Sequence, residues 1–234
     1  MVNERNEKEK YVPEIRGNLK KLIVKVPETI TEASGINING RILHSFMFTT
    51  DPAIVCNMNA DAVIALYPFY PQPVIIQSVL TASRVPVFCG IGDQILTLLE
   101  RMINIAKQAE YQGATGIVVN ASISNDALKS LARVLDIPII LTITAETTDI
   151  KARLESGAAI LNVSAAQKTP EIIAGIRAEY PYVPIMANGG PTEESIAFTI
   201  AAGANAITYT PPSLTSLFIA LAEERRRKEM ERAD

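Results

Sequence analysis

Few residues of this chain can move a proton near neutrality, and they are scattered. His44 is the only histidine among 234 residues, and an imidazole is the side chain whose ordinary pKa suits proton transfer at neutral pH. A lone histidine on a strand also reads as a hydrogen-bonded structural residue. Glu146, in TITAETTD, follows two threonines. It reads either as an acid/base group reaching over a cavity or as a first-turn carboxylate that favours a helix dipole. Asp51, before Pro52, and Asp93, after CGIG, have the positions of helix N-caps. Cys56 and Cys89 lie in unrelated segments with neither metal-ligand nor disulfide-framework spacing, so no metal and no cofactor is expected.

Other residues are suited to binding. Asn188-Gly189-Gly190-Pro191-Thr192-Glu193 and Thr210-Pro211-Pro212-Ser213-Leu214-Thr215 each join a strand to a helix. Paired glycines let backbone approach an anion, and a helix start presents free N–H groups. The three prolines have no N–H, which leaves Gly189, Gly190, Ser213 and Leu214 as phosphate donors. Tight turns with N-caps at Thr192 and Ser213 are the plainer reading.

These loops need a scaffold, and the scaffold is written in the punctuation. Val85-Pro86, Ile137-Pro138 and Val183-Pro184 alternate with Gly113-Ala114, Gly157-Ala158 and Gly203-Ala204. Proline turns the preceding residue away from helix, and glycine takes the left-handed conformation that ends one. Strands are therefore expected at about 85–90, 115–120, 138–144, 159–164, 183–188 and 205–210. Val63–Tyr67, opened by Asn59 in the C′ role, and RILHSFMF at about 41–48 bring the count to eight. Between them DQILTLLERMINIAKQAEY and TPEIIAGIRAEY carry apolar residues at three- and four-residue spacings. Eight alternating strands and helices predict a single α/β domain, a (β/α)8 TIM barrel over 41–234, with an open doubly wound sheet as the alternative. Residues 1–40 form an N-terminal extension, a charged tail plus a helix or loop that closes the barrel bottom.

The period of two then sorts each strand into an outer and an inner row. Ile139, Leu141 and Ile143 oppose Ile140, Thr142 and Thr144. Leu161 and Val163 oppose Asn162 and Ser164, Ile207 and Tyr209 oppose Thr208 and Thr210, and Asn120 and Asn188 share the inner parity. Small polar groups thus collect on the axis at the carboxyl ends, where barrels of this kind carry their sites. They are the substrate-orienting candidates, a mutually bonded polar plug being the alternative.

Composition narrows the partners. Hydrophobic residues make up 48% and charged residues 20%, with a formal net charge of -3, so there is no broad basic field for nucleic acid. The run Arg225-Arg226-Arg227-Lys228 has flanking glutamates and reads as a solvated helix end. No apolar run reaches membrane-spanning length, and the first twenty residues lack the pattern of a signal peptide. A cytoplasmic protein is expected. Tyr67, Phe69 and Tyr70 form an aromatic, proline-rich loop that reads as a lid or as a contact in a homo-oligomer.

Strand seven ending in NGG, then PTEES, then AAGANAITYT, resembles the last quarter-barrel of phosphate-binding TIM barrels, including 2-keto-3-deoxy-6-phosphogluconate aldolases and glycerol-3-phosphate-responsive antiterminators. The resemblance covers about residues 157–216. It implies a small phosphorylated metabolite held through Gly189, Gly190 and the strand-eight loop. The aldolases' Schiff-base lysine matches Asn162 here, and their strand-two glutamate falls near Ala65 or Leu66, so that chemistry is excluded. Two readings follow. The first is a metal-independent lyase, isomerase or hydrolase with Glu146 or His44 moving protons; the second is a metabolite-sensing regulator of the antiterminator type.

Overall fold

The computed structural model describes residues 13, 24–92 and 98–230. Asp93, the tail residues 1–12 and 14–23, residues 231–234 and the side chain of Lys228 lie outside what is described.

Eight parallel strands close on themselves in chain order, the last pairing with the first. They are β3 (Ser45–Phe48), β4 (Ala62–Ala65), β5 (Val87–Gly90), β6 (Gly116–Val119), β7 (Ile139–Ile143), β8 (Ile160–Val163), β9 (Ile185–Asn188) and β10 (Ala206–Tyr209). The helices are α1 (Pro52–Cys56), α2 (Pro73–Ala82), α3 (Leu99–Tyr111), α4 (Asn125–Ala132), α5 (Ile150–Glu155), α6 (Thr169–Glu179), α7 (Glu193–Ala201) and α8 (Leu214–Met230). The fold is a single (β/α)8 TIM barrel. No helix among the described residues is long and apolar enough to cross a membrane.

The punctuation works as its chemistry requires. Gly113, Gly157 and Gly203 have φ of 95°, 107° and 109°, the left-handed region that ends a helix cheaply only at glycine. Pro86, Pro138 and Pro184 have no N–H to give, but their carbonyls accept from Val63, Ile117 and Leu161 of the preceding strand at 2.9, 2.9 and 3.0 Å. Each proline therefore starts a ladder by its carbonyl.

Two cores result. Inside the barrel Phe46, Ile64, Phe88, Val118, Ile140 and Met186 share a buried cluster, with the Phe46 and Phe88 rings tilted at 58° and 5.3 Å between centroids. Outside it Val63, Cys89, Ile117, Leu141, Leu161 and Ile207 pack under the helices. Cys89 is fully buried and burial pushes its thiol up to about 12, whereas Cys56 is exposed. Titration with a disulfide reagent at pH 8 is expected to modify Cys56 alone in the native protein and both thiols after denaturation. Two native thiols would mean that the wall between β5 and the helices opens. The raised thiol pKa also makes stability full below the unfolded value of about 8.5 and lost progressively as pH rises toward 12.

Three expectations need correction at the barrel bottom. The stretch 41–48 is two strands: β2 (Arg41–Leu43) pairs antiparallel with β1 (Ile36–Ile38), and β3 starts after a break at His44. This hairpin crosses the 40/41 boundary, and Ile36 and Leu43 enter the interior cluster, so a hairpin supplies the plug where a helix or loop was expected. A 3₁₀ turn at Glu28–Glu32 precedes it. Asn59 has no left-handed backbone, and its carboxamide instead accepts from Val26 N at 2.8 Å. Its use is to fasten Val24 and Val26 over Met47, Ile54 and Ala60. α8 has no buried residue among those described, and its Phe218 is 70% exposed.

Candidate functional site

The inner rows run out of apolar residues at the carboxyl ends, and there two cavities open. The larger, about 1000 Å³, lies between the loops that follow β8, β9 and β10, and brings together Ser164, Asn188, Gly189, Gly190, Thr208 and Thr210. The second, about 840 Å³, lies beside it between the β3, β4 and β10 loops, and contains Asn120, Thr210, Ser213 and Leu214. Thr210, Pro211 and Pro212 form the wall common to both. Two prolines in succession fix φ along that wall, so it is a rigid divider.

The floor of the larger cavity is polar and under-satisfied. Asn188 Nδ2 donates to Ser164 Oγ at 2.8 Å, which ties β9 to β8. Thr208 Oγ1 and Asn162 Oδ1 are buried and have no hydrogen-bond partner, in residues only 5% and 8% exposed. Asn162 sits two residues below Ser164 on the same inner row and beside Thr142 and Met186. An orphaned buried polar atom costs about 1–3 kcal/mol; Thr208 lines the larger cavity, whereas Asn162 lies one inner layer below it and does not.

The glycines of the β9 loop have a different local reason from the one expected. A Cβ at Gly189 would lie 2.7 Å from Ile196 Cγ1 and 2.9 Å from Ile207 Cγ2, in the outer layer. At Gly190, φ is +80° and a Cβ would lie 2.5 Å from Ser195 Oγ. Glycine is thus required by the packing of α7 against the barrel, and the backbone is left facing the cavity. The start of α7 is already occupied: Thr192 Oγ1 accepts from Ser195 N, and Ser195 Oγ accepts from Thr192 N, each at 3.2 Å. Ser213 likewise caps α8 by accepting from Ser216 N at 3.1 Å.

Both proton-moving candidates lie elsewhere. His44 precedes β3 at the bottom of the barrel, away from the carboxyl-end cavities, and its Nδ1 is 3.6 Å from Asp61 Oδ2. That carboxylate also accepts from the His44 and Ser45 backbone N–H and from Ser45 Oγ, so the cluster joins the starts of β3 and β4. Glu146 is exposed in the loop beyond β7 and lines an outer groove between α5 and α6, and neither of the two cavities contains it. Thr144 is exposed past the end of β7, and Thr142, on the inner row, lines neither cavity.

The reading from sequence missed the loop after β8. Ala166 has φ of +51°, unusual for a residue with a Cβ, and it lines the larger cavity with Gln167 and Thr169. Thr169 Oγ1 accepts from Ala165 N at 2.9 Å and holds this bend. No residue type there announces such a backbone. Asp51 is the other addition. Its Oδ1 accepts from Ala53 N at 2.8 Å, the expected N-cap, and it is the sole charged residue among the described ones lining either cavity. Among the described residues no group of three His, Cys, Asp or Glu side chains is placed to hold a metal ion.

The chain matches no protein-family model and no curated protein sequence. Solved structures do resemble it. Phosphonopyruvate hydrolase superposes with a TM-score of 0.60 at 14% identity over 86% of this chain and 85% of that one. A phosphoenolpyruvate phosphomutase from Streptomyces platensis subsp. rosaceus gives 0.56 at 13% identity, over 80% and 81% of the two chains. Dihydrodipicolinate synthase from Aquifex aeolicus gives 0.51 at 15%, over 64% and 58%. At these identities the likeness is one of fold, and it places the chain among TIM barrels.

Proposed function

We propose that the chain binds a small phosphorylated metabolite at the carboxyl-end face of the barrel and acts on it as a lyase, isomerase or hydrolase. The observation that carries this reading is the larger cavity itself, which the backbone turn at Gly189–Gly190 and the unpartnered Thr208 both line. Backbone N–H groups of Gly189 and Gly190 hold the phosphate in the larger cavity, and Ser164, Asn188, Thr208 and Thr210 orient the remainder, while Ser213 and Leu214 lie across the wall in the second cavity. The solved relatives are named as a hydrolase, a phosphomutase and a synthase, which supports chemistry of this general kind. Asp51, across the Thr210–Pro212 wall in the second cavity, takes the proton-handling role for a ligand that extends over that wall, and Glu146 and His44 border neither cavity.

Titration calorimetry with inorganic phosphate tests the site. Thr210→Asp adds a carboxylate to the wall common to both cavities and is expected to weaken phosphate at least about tenfold by like-charge repulsion. Unchanged affinity sinks the phosphate reading. The second reading, a non-catalytic metabolite sensor, is favoured by the displacement of both sequence candidates for proton transfer. It predicts saturable binding with no turnover of any bound compound.

Self-association belongs to the same proposal. α8 exposes Leu214, Phe218 and Ile219, an apolar surface that no element among the described residues covers. Light scattering is expected to report a dimer or larger species, and Phe218→Asp is expected to return it to monomer. A monomeric wild type at tens of micromolar contradicts this.

A further inference from the structure

We infer that Phe198 makes the α7 side of the larger cavity a stacking platform, so that the phosphorylated ligand carries a flat aromatic or heteroaromatic group. This rests on the phosphate reading above and goes further, because it assigns the chemistry of a part of the ligand that the phosphate donors do not touch.

Phe198 is out of place on a helix that covers a barrel. α7 buries Ile196 and Thr199, yet Phe198 is 61% exposed. A solvated phenyl ring has no local reason to stand there, since helix propensity at an open position favours alanine, leucine or a long charged side chain. Its surroundings supply a reason. Ser195 is the residue that stands against Gly190, where a Cβ would lie 2.5 Å from Ser195 Oγ. Phe198 follows Ser195 by three positions, which makes the two neighbours on one face of the helix. Gly190, Ser195 and Phe198 all line the larger cavity. The phenyl group therefore borders the same space as the Gly189–Gly190 backbone, about one helical turn away.

The rest of the wall suits a flat apolar group. Tyr209, Pro211 and Pro212 come from the end of β10 and the loop beyond it, and Pro170 comes from the start of α6. The cavity, about 1000 Å³, has the volume of sites that take whole drug-sized ligands, so a phosphate alone leaves most of it to water. A ring laid against Phe198 removes apolar surface from water on both partners, and two aromatic rings gain from offset or edge-to-face geometry beyond that area. A saturated ring of similar size gains the area alone. The reacting part of such a ligand is the part that reaches over the Thr210–Pro212 wall, and the aromatic group serves recognition.

Calorimetry on the full chain with three probes tests this: inorganic phosphate, benzyl phosphate and cyclohexylmethyl phosphate. Benzyl phosphate is expected to bind at least about tenfold more tightly than inorganic phosphate and about threefold more tightly than the saturated probe. Phe198→Ala is expected to bring benzyl phosphate to within about threefold of inorganic phosphate, whose own affinity stays unchanged, and Phe198→Tyr is expected to keep the preference. Because the side chain is exposed, the Ala variant is expected to hold its thermal midpoint within about 2 °C, and light scattering follows its assembly. Benzyl phosphate binding no tighter than either other probe, or a preference that survives Phe198→Ala, overturns the inference and leaves the phosphate reading standing. An Ala variant that changes its assembly state with the ligand preference intact also overturns it, and assigns Phe198 to a contact between subunits. Failure of all three probes to bind overturns both readings.

Discussion

Replacing Arg177 with Met is expected to lower the thermal midpoint by about 10 °C, the largest stability change we anticipate from a single side chain outside the cores. The guanidinium donates through Nη1 to the Pro181 and Val183 carbonyls at 2.9 and 2.8 Å and through Nη2 to the Gly203 carbonyl and Asn205 Oδ1 at 2.7 and 2.9 Å. Those acceptors belong to the loops that feed β9 and β10, and Asn205 Oδ1 also accepts from Ile185 N at 2.9 Å. One planar group therefore sets where two adjacent strands begin. Burial pulls the Arg177 pKa down from its usual value, but a guanidinium stays charged at any pH of interest. Met fills the volume of the stem and donates nothing, leaving several carbonyls short of a partner. Hydrogen bonds to charged groups are worth about 1.5–3 kcal/mol each, and partial solvent access brings the summed loss to roughly 3–5 kcal/mol. Arg177→Lys, which keeps the charge without the fork, is expected to recover less than half. A shift below about 3 °C in the Met variant, followed by circular dichroism, would show that water replaces the guanidinium freely.

This knot shows what kind of information a sequence withholds. The strand order was legible because Gly113, Gly157 and Gly203 and the three X-Pro pairs each have a local backbone reason to stand where they do. Inner and outer rows were legible because a strand alternates with period two, and Ile140, Asn162 and Thr208 occupy the inward positions that this period assigns. Nothing in the residues around 177 announces that its partners lie 26 and 28 positions away. The same limit explains His44. On a continuous strand from 41 to 48 it would rise toward the rim, but the chain breaks there because Ile36 and Leu43 plug the interior and Asp61 takes up the exposed N–H groups of His44 and Ser45. The plug is a tertiary event between a hairpin and a barrel mouth, and period-two reasoning has no access to it. Glu146 fails in a related way: the strand ends at Ile143, and the loop carries the carboxylate outward to α5 and α6.

Asp51 is the residue on which the catalytic reading depends, and Asp51→Asn isolates its charge from its structural work. The Asp51 carboxylate caps α1 through Ala53 N at 2.8 Å, and its own N–H donates to Thr49 Oγ1 at 3.1 Å. Asparagine caps a helix about as well as aspartate, so the substitution keeps the loop and removes only the proton acceptor. The thermal midpoint is expected to stay within about 2 °C and ligand affinity within about threefold, because the cap and the walls are unchanged. Turnover of a saturating phosphorylated ligand is expected to fall by about 10²–10⁴, the usual contribution of a positioned general base. The same variant separates the two functional readings by which quantity moves. In an enzyme kcat collapses and KM holds, because the carboxylate acts on the transition state and not on the bound ground state. In a sensor there is no turnover to lose, and calorimetry gives superimposable isotherms for wild type and variant. Full activity in Asp51→Asn would remove the one charged group that the described walls offer for proton transfer, and would shift the assignment from acid/base chemistry toward binding alone.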